Sequence, residues 1–140
     1  MKNILTAAFL MLIVFAGTSC RKAKLYDPTI ATVEPLNGSW KVSSFVTDDQ
    51  STTGQWQEYQ LICSSNGSMS IKNSVVTFNC AWYWSDEYHT SCHFTVLNAG
   101  DNTLIKSMQD DWDLTSHDGK TCHFTSRNPN HHIEMVWTKQ

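Results

Sequence analysis

Cysteine and histidine are the residues of this chain with the greatest potential for chemistry, since both bind metal ions and act in nucleophilic catalysis. The tetrapeptide Cys-His-Phe-Thr occurs twice, at 92–95 and at 122–125. Neighbouring side chains of a β-strand point to opposite faces, so the Cys and the His of one tetrapeptide cannot grip the same ion. The same holds for His131 and His132. The sequence therefore predicts outward-facing histidines and no metal or cofactor site.

Motifs of catalysis are missing from the sequence as well. It contains no Gly-x-Ser-x-Gly elbow, no zinc-protease helix, no phosphate-binding loop and no Cys-His pair with an evident orienting group. Asp110, Asp111 and Asp113 cluster beside Trp112, but a calcium loop needs a longer ligand array that includes a glycine. Such a cluster is typical of a solvated turn. We therefore expect that this chain is not an enzyme.

The beginning of the chain has the pattern of a signal peptide. A short basic start, Met1-Lys2-Asn3, is followed by the apolar run 4–16 and by the small residues 17–19. The apolar run is too short to span the hydrocarbon core of a membrane, which takes roughly 20 residues. We expect residues 1–19 to be removed and the mature chain to be exported.

The cysteine that follows those small residues suggests how the mature chain is held. Gly17-Thr18-Ser19-Cys20 resembles the lipobox of bacterial lipoproteins, in which a signal peptidase cuts before a Cys that already carries diacylglycerol. The resemblance implies an anchor in a membrane through lipid on Cys20, because two acyl chains hold a protein stably where one does not. Ordinary secretory cleavage, which leaves Cys20 as a free thiol or half of a disulfide, is the alternative.

The residues after Cys20 indicate a tether and a location. Residues 20–35 are polar and contain Pro28 and Pro35, which is typical of a flexible linker. Arg21 stands where an aspartate would mark inner-membrane retention in some Gram-negative bacteria, and no acidic run like the surface-export signals of some lineages follows. The resemblance thus implies the outer membrane of the cell envelope, with the domain facing the periplasm.

Charge is distributed unevenly between the tether and the rest of the chain. The tether has three basic and two acidic residues, whereas from Leu36 onward six basic residues stand against eleven acidic ones. A basic tether favours anionic lipid head groups, and an acidic domain argues against nucleic acid as a partner. The alternative for the domain is that its charges serve only to solvate the surface.

Residues 36–140 are expected to form one all-β domain, because apolar and polar residues alternate repeatedly and no sustained helical periodicity appears. Turn signals such as Asn66-Gly67 and Asp118-Gly119 separate the alternating runs. We predict an antiparallel meander of about eight strands that closes into a β-barrel. The predicted strands are 39–47, 56–63, 68–72, 74–84, 88–97, 103–108, 111–116, 120–126 and 132–139, with the third and fourth open to being one bulged strand.

The first strand resembles the opening of lipocalin-like domains. Leu36-Asn37-Gly38-Ser39-Trp40 looks like their Gly-x-Trp motif, in which the Trp plugs one barrel end. The last segment, 133–139, is similar to the closing strand of small bacterial lipocalin-like lipoproteins. The resemblance implies that Gly38 and Trp40 form a barrel end and that a basic residue, Arg127 or Lys139, packs on the Trp ring. Trp40 as the core aromatic of another β-sandwich is the alternative.

What such a barrel does depends on what fills it, since eight strands leave room for packed side chains or one small ligand. The side chains predicted to point inward are bulky: Tyr59, Leu61, Phe78, Trp82, Trp84, Phe94, Val96 and Phe124. We expect a module that binds a small apolar or amphipathic ligand, lined by Tyr59, Trp82, Trp84 and Phe94. The alternative is a packed barrel that binds or inhibits another envelope protein and holds no ligand.

Five cysteines are an odd number for an exported protein, and lipid on one of them leaves an even set. The remaining four are Cys63, Cys80, Cys92 and Cys122. A hairpin symmetric about Asp86 would set Cys80 directly opposite Cys92, within bridging distance. Cys63 would then pair with Cys122. The rival scheme pairs Cys63 with Cys80 and Cys92 with Cys122, and four buried reduced thiols are the third alternative.

Overall fold

The structure, a computed structural model, describes residues 36–140. The predicted signal peptide at 1–19, the tether at 20–35 and the lipidation site Cys20 lie outside the described residues. No helix within the described part of the chain is both long enough and apolar enough to cross a membrane.

The described residues form short antiparallel strands and two one-turn helices. In chain order these are β1 (Gly38–Thr47), β2 (Gln50–Ser51), α1 (Thr53–Trp56), β3 (Gln60–Cys63), β4 (Ser68–Lys72), β5 (Thr77–Trp84), β6 (Ser91–Val96), α2 (Thr103–Lys106), β7 (Asp110–His117), β8 (Thr121–Ser126) and β9 (Ile133–Lys139). β4 and β5 are separate strands, because Asn73 turns the chain between them: its side chain accepts hydrogen bonds from the amides of Val75 and Val76.

The strands close into a ring. Each strand from β3 to β9 pairs with the next one along the chain, and β1 pairs with both β3 and β9. β1 serves both partners by dividing its length: Gly38–Trp40 pair with β3, whereas Trp40–Thr47 pair with β9 around a bulge between Val42 and Ser44. β2 is only a two-residue ladder on the end of β1. The predicted all-β, eight-stranded antiparallel barrel is confirmed.

The connections divide between two barrel ends. The Gly38 end carries the start of β1 and the turns 64–67, 85–90 and 118–120. The helix end carries α1, α2 and the turns 73–76 and 127–132.

α2 occupies a segment for which the sequence predicts a strand, 103–108, and that prediction is wrong. The side chain of Asn102 accepts a hydrogen bond from the amide of Ile105, 3.1 Å away, which is the N-cap arrangement that starts a helix. The helix turns Ile105 and Met108 into the core, where both are fully buried. The first part of predicted strand 56–63 is likewise the end of α1, whose Trp56 stacks on Phe45 with ring centroids 5.4 Å apart.

Aromatic side chains meet across the barrel axis. Phe94 of β6 stacks on Trp137 of β9 at 5.2 Å, and Phe45 of β1 contacts Trp112 of β7 edge-on at 6.3 Å. In each pair the strands lie three places apart around the ring of eight, so the contacts cross the interior. All four rings are almost completely buried. The chain's own aromatic residues therefore occupy the middle of the barrel.

The predicted inward-facing set is confirmed by burial. Five members are buried: Leu61, Phe78, Trp82, Phe94 and Phe124. The other three are partly buried against the same core: Tyr59, Trp84 and Val96.

Candidate functional site

The Gly-x-Trp motif lies at the Gly38 end of the barrel, where β1 begins. Trp40 is fully buried, and its indole N–H donates to the carbonyl of Leu36 at 2.9 Å. The Nζ of Lys139 lies 5.5 Å from the centre of the Trp40 ring, so Lys139, and not Arg127, is the basic residue on this ring. Gly38 has a φ of +130°, and a Cβ there would come within 3.2 Å of the Lys139 side chain, which explains the glycine.

The ammonium over Trp40 is expected to contribute modestly to stability. Lys139→Ala should lower the free energy of unfolding by about 0.5–1 kcal/mol, the usual range for a cation–π contact at an exposed site. Lys120→Ala is the matched control, because this exposed lysine lies at the same end and no cation–π contact of its side chain is found within residues 36–140. Urea unfolding followed by far-UV circular dichroism measures both. Equal effects of the two substitutions would contradict the assignment.

The four predicted ligand-lining residues lie at different heights in the barrel. Tyr59 lies at the helix end, against Trp56 and Phe78. Trp82 and Trp84 lie toward the Gly38 end, with their rings perpendicular and 5.5 Å apart. Phe94 is opposite Trp82 in the sheet and packs into the central aromatic cluster.

A shallow groove lies at the helix end between β1 and the two helices. Its volume is about 290 Å³, and it is lined by Phe45, Thr47, Thr52, Gln55, Thr103, Leu104 and Ser107. The Phe45 ring separates it from Trp56. The Nε1 of Trp56 and the Oγ1 of Thr52 are buried without a hydrogen-bond partner, which makes this the one place at the helix end, within residues 36–140, with orphaned side-chain polar atoms.

A second groove runs beside α2. It has a volume of about 420 Å³ and is lined by Val96, Leu97, Asn98, Ala99, Gly100, Lys106 and Gln109. Leu97 on its edge is 65% exposed, and Val75 in the turn between β4 and β5, at the same barrel end, is 89% exposed. Aliphatic side chains are thus presented to solvent at the helix end.

All four cysteines of the domain are buried free thiols in the structure. The expected Cys80–Cys92 bridge depended on a hairpin symmetric about Asp86, and that register is wrong: Cys80 pairs with Val96, and Cys92 pairs with Trp84. The turn occupies 85–90, because the Asp86 carboxylate accepts hydrogen bonds from the amides of Thr90 and Ser91 and shifts β6 along β5. Cys92 is four residues from Val96, the partner of Cys80, so Cys80 and Cys92 are roughly 13 Å apart along the strands. That distance is too long for a disulfide.

Burial makes these thiols poor nucleophiles. It raises the pKa of Cys80 to about 11 and that of Cys122 to about 12. It also raises the pKa values of Cys63 and Cys92, and the charge of neighbouring thiolates raises these two pKa values further. Since the thiolate is the reactive form, little of any of the four is reactive near neutral pH.

The native domain is therefore expected to resist alkylation. With iodoacetamide at about pH 8, no cysteine should react in the native protein, and four should react after denaturation without reductant. Peptide mapping by mass spectrometry counts them. A linked pair of cysteine peptides in the denatured, unreduced sample would contradict the free thiols.

Alkaline pH is expected to destabilise the domain through the same groups. An unfolded thiol ionises near pH 8.5–9, whereas Cys80 in the folded state ionises only at about 11. Deprotonation thus favours the unfolded chain, and the stabilisation is complete below about pH 8.5 and is lost as pH rises toward 11. Urea midpoints measured across this range should fall more steeply in the wild type than in Cys80→Val. Parallel slopes would argue against this assignment.

The histidines of the twin tetrapeptides point outward, as predicted, while Cys92 and Cys122 are fully buried. His93 places Nδ1 2.7 Å from the Asp111 carboxylate and stacks on Tyr83 with ring centroids 5.2 Å apart. In residues 36–140 no group of three His, Cys, Asp or Glu side chains is arranged to hold a metal ion.

The acidic cluster lies in β7 and not in a solvated turn. Asp113 accepts hydrogen bonds at 2.8 Å from the Arg127 side chain and from the hydroxyl of Ser91. Asp111 faces His93, so these carboxylates are engaged by groups of neighbouring strands. The cluster supports the outer wall of the barrel.

Sequence reasoning missed the residues of the helix end. Thr52, Trp56 and Leu104 lie in or beside one-turn helices that are too short to give a periodic pattern. The signal that could have found α2 is Asn102, an N-cap residue three positions before Ile105.

Comparison with known proteins identifies the fold. No protein-family model matches the sequence, and no curated protein matches it. A lipocalin-like protein from Bacteroides uniformis superposes with a TM-score of 0.58 at 11% identity, over 76% of this chain and 99% of its own. A DUF4847 family protein from Bacteroides vulgatus gives a TM-score of 0.54 at 9% identity, over 76% and 95% of the two chains. At these identities the likeness shows the fold alone: a lipocalin-like β-barrel, as the sequence predicts.

Proposed function

We propose that this chain is a membrane-anchored lipoprotein whose lipocalin-like barrel binds another protein of the cell envelope through its outer surface. The observation that carries the proposal is the aromatic contact across the barrel axis, Phe94 on Trp137 and Phe45 on Trp112. Side chains that meet there take up the space that an enclosed ligand would need. The proposal assigns the chain no catalytic activity.

The helix end supplies the surface for this partner. Val75 and Leu97 are exposed there beside the groove along α2. Exposed aliphatic side chains with a polar surround are typical of protein-binding surfaces. Asp48, Asp49 and Asp101 are exposed at the same end, so a partner with a basic rim fits best.

The anchor places the domain in the envelope. Lipid on Cys20 would hold the mature chain in the outer membrane, and residues 21–35 would let the barrel face the periplasm.

In-cell photocrosslinking tests the binding surface. A photoreactive amino acid at Val75 or Leu97 should give the same discrete cross-linked product. Ser116, exposed in β7 toward the Gly38 end, is the matched control and should give none. Equal products at all three positions, or none at any, would overturn the proposal.

A small apolar ligand remains a second candidate on a specific observation. The indole N–H groups of Trp56 and Trp137 are buried without an acceptor, which costs about 1–3 kcal/mol for each group. A ligand carbonyl or hydroxyl that entered past Phe45 would satisfy the Trp56 donor. Native mass spectrometry of the Cys20→Ala protein purified from its own cells distinguishes the candidates: a retained small molecule favours the ligand.

A further inference from the structure

The described chain begins at the Gly38 end, which limits how the barrel can stand on a membrane. Leu36 is fully buried there, fixed by the hydrogen bond from Trp40 to its carbonyl. Fifteen residues, 21–35, separate it from the lipidation site Cys20. A flexible chain of that length spans about 20 Å on average. The Gly38 end is therefore the part of the barrel held nearest to the lipid.

The same end carries amphipathic aromatic side chains in the turn between β5 and β6. Tyr88 is 50% exposed, and Trp84 is half-buried at the rim with its ring stacked on His89 at 4.8 Å. Tyrosine and tryptophan are enriched at the boundary between lipid and water, because each has an apolar ring and a polar tip. The large hydrophobic side chains exposed at the helix end, Val75, Val76 and Leu97, are aliphatic instead.

The turn is a fixed structure. The Asp86 carboxylate accepts hydrogen bonds from the Thr90 amide at 2.9 Å and the Ser91 amide at 3.1 Å, and one from the Thr90 hydroxyl. Trp84 and Tyr88 are thus presented at a defined position on the barrel.

The two barrel ends also differ in their balance of acidic and basic residues. At the Gly38 end three acidic residues are balanced by three lysines: Asp86, Glu87 and Asp118 against Lys41, Lys120 and Lys139. At the helix end five acidic residues face three basic ones: Asp48, Asp49, Glu58, Asp101 and Asp110 against Lys72, Lys106 and Arg127. An anionic lipid surface repels the helix end more strongly than the Gly38 end, and the tether, whose sequence has three basic residues, joins the domain at the Gly38 end.

We propose that the Gly38 end lies on the lipid surface, with Trp84 and Tyr88 in the headgroup layer. This orientation rests on the proposed anchor at Cys20. It points the helix end, with Val75 and Leu97, away from the membrane.

Tryptophan fluorescence can read this orientation. All six tryptophans lie in the described residues, and Trp84 alone is half-buried, while the other five are at most 5% exposed. The lipidated protein is reconstituted into vesicles of phosphatidylethanolamine and phosphatidylglycerol whose acyl chains carry bromine near the headgroup. The wild type should be quenched, and Trp84→Phe should lose that quenching.

The opposite end provides the matched control. Val75→Trp in the Trp84→Phe background places an exposed indole at the helix end, and it should remain unquenched on the same vesicles while staying accessible to aqueous iodide. Quenching at position 75 but not at 84 would reverse the orientation. Protein that floats with the vesicles but is quenched at neither position overturns the docking and leaves the anchor standing. Protein that does not float overturns the anchor and the docking together.

Discussion

Trp137→Ala is expected to lower the free energy of unfolding by about 3–5 kcal/mol, the range for truncating a large buried aromatic side chain. The Trp137 ring contacts three other rings, of Trp40 at 6.3 Å, Phe94 at 5.2 Å and Phe124 at 4.8 Å, and it is fully buried. A domain of this size has a total stability of about 5–15 kcal/mol, so the substitution threatens folding itself. Urea unfolding followed by far-UV circular dichroism measures the loss.

Trp137→Phe is the matched control for that experiment. It keeps a ring against Phe94 and removes the indole N–H that has no acceptor, so the free energy that it costs should be clearly smaller. A loss of under about 1 kcal/mol for Trp137→Ala would mean that the interior is not packed around this ring. That result would favour binding of a small ligand in the interior over the proposed binding of another protein.

Cys20→Ala is expected to move the protein from the membrane fraction to the soluble envelope fraction almost completely. Without the thiol there is no site for the diacylglycerol, and the described domain contains no helix that could span a membrane in its place. Fractionation with immunoblotting measures the shift, and mass spectrometry of the wild type should find the acyl chains on Cys20.

Ser19→Ala is the control for cleavage at the same site, because alanine is also a small residue and Cys20 is retained. This variant should stay in the membrane fraction. Cys20→Ala that remains bound, together with a wild type that lacks acyl mass, would show that the lipobox resemblance is misleading.

The predictable parts of the fold are those with local signals. β4 has its predicted bounds because the Asn66-Gly67 turn precedes it and alternation runs through Met69 and Ile71. The turn between β5 and β6 was less predictable, since its length depends on how Asp86 caps two amides beyond it. The longer turn changes the register of β5 and β6, so that Cys92 pairs with Trp84 and not with Cys80 as predicted.

In the candidate site, too, local sequence signals predict some features, and others depend on the whole fold. Trp40 could be placed from its motif and position, whereas the choice of Lys139 over Arg127 needed the pairing of β1 with β9. The contact of Phe45 with Trp112 joins strands that are distant in sequence, and their relative height is set by the stagger of the whole sheet. Local patterns do not carry that information.

The shared ladder of β1 and β9 also governs the order in which the chain can fold. Trp40 pairs with Lys139, near the two limits of the domain, while β3 to β9 pair with their sequence neighbours. The hairpins can form early, but ring closure pays the entropy of a loop nearly as long as the domain and should limit the folding rate. During the proposed export, β1 would emerge first. The edge of β1 that pairs with β9 would stay unpaired until β9 emerged. A chain interrupted at that stage has two open edges, so aggregation competes with folding until the last strand arrives.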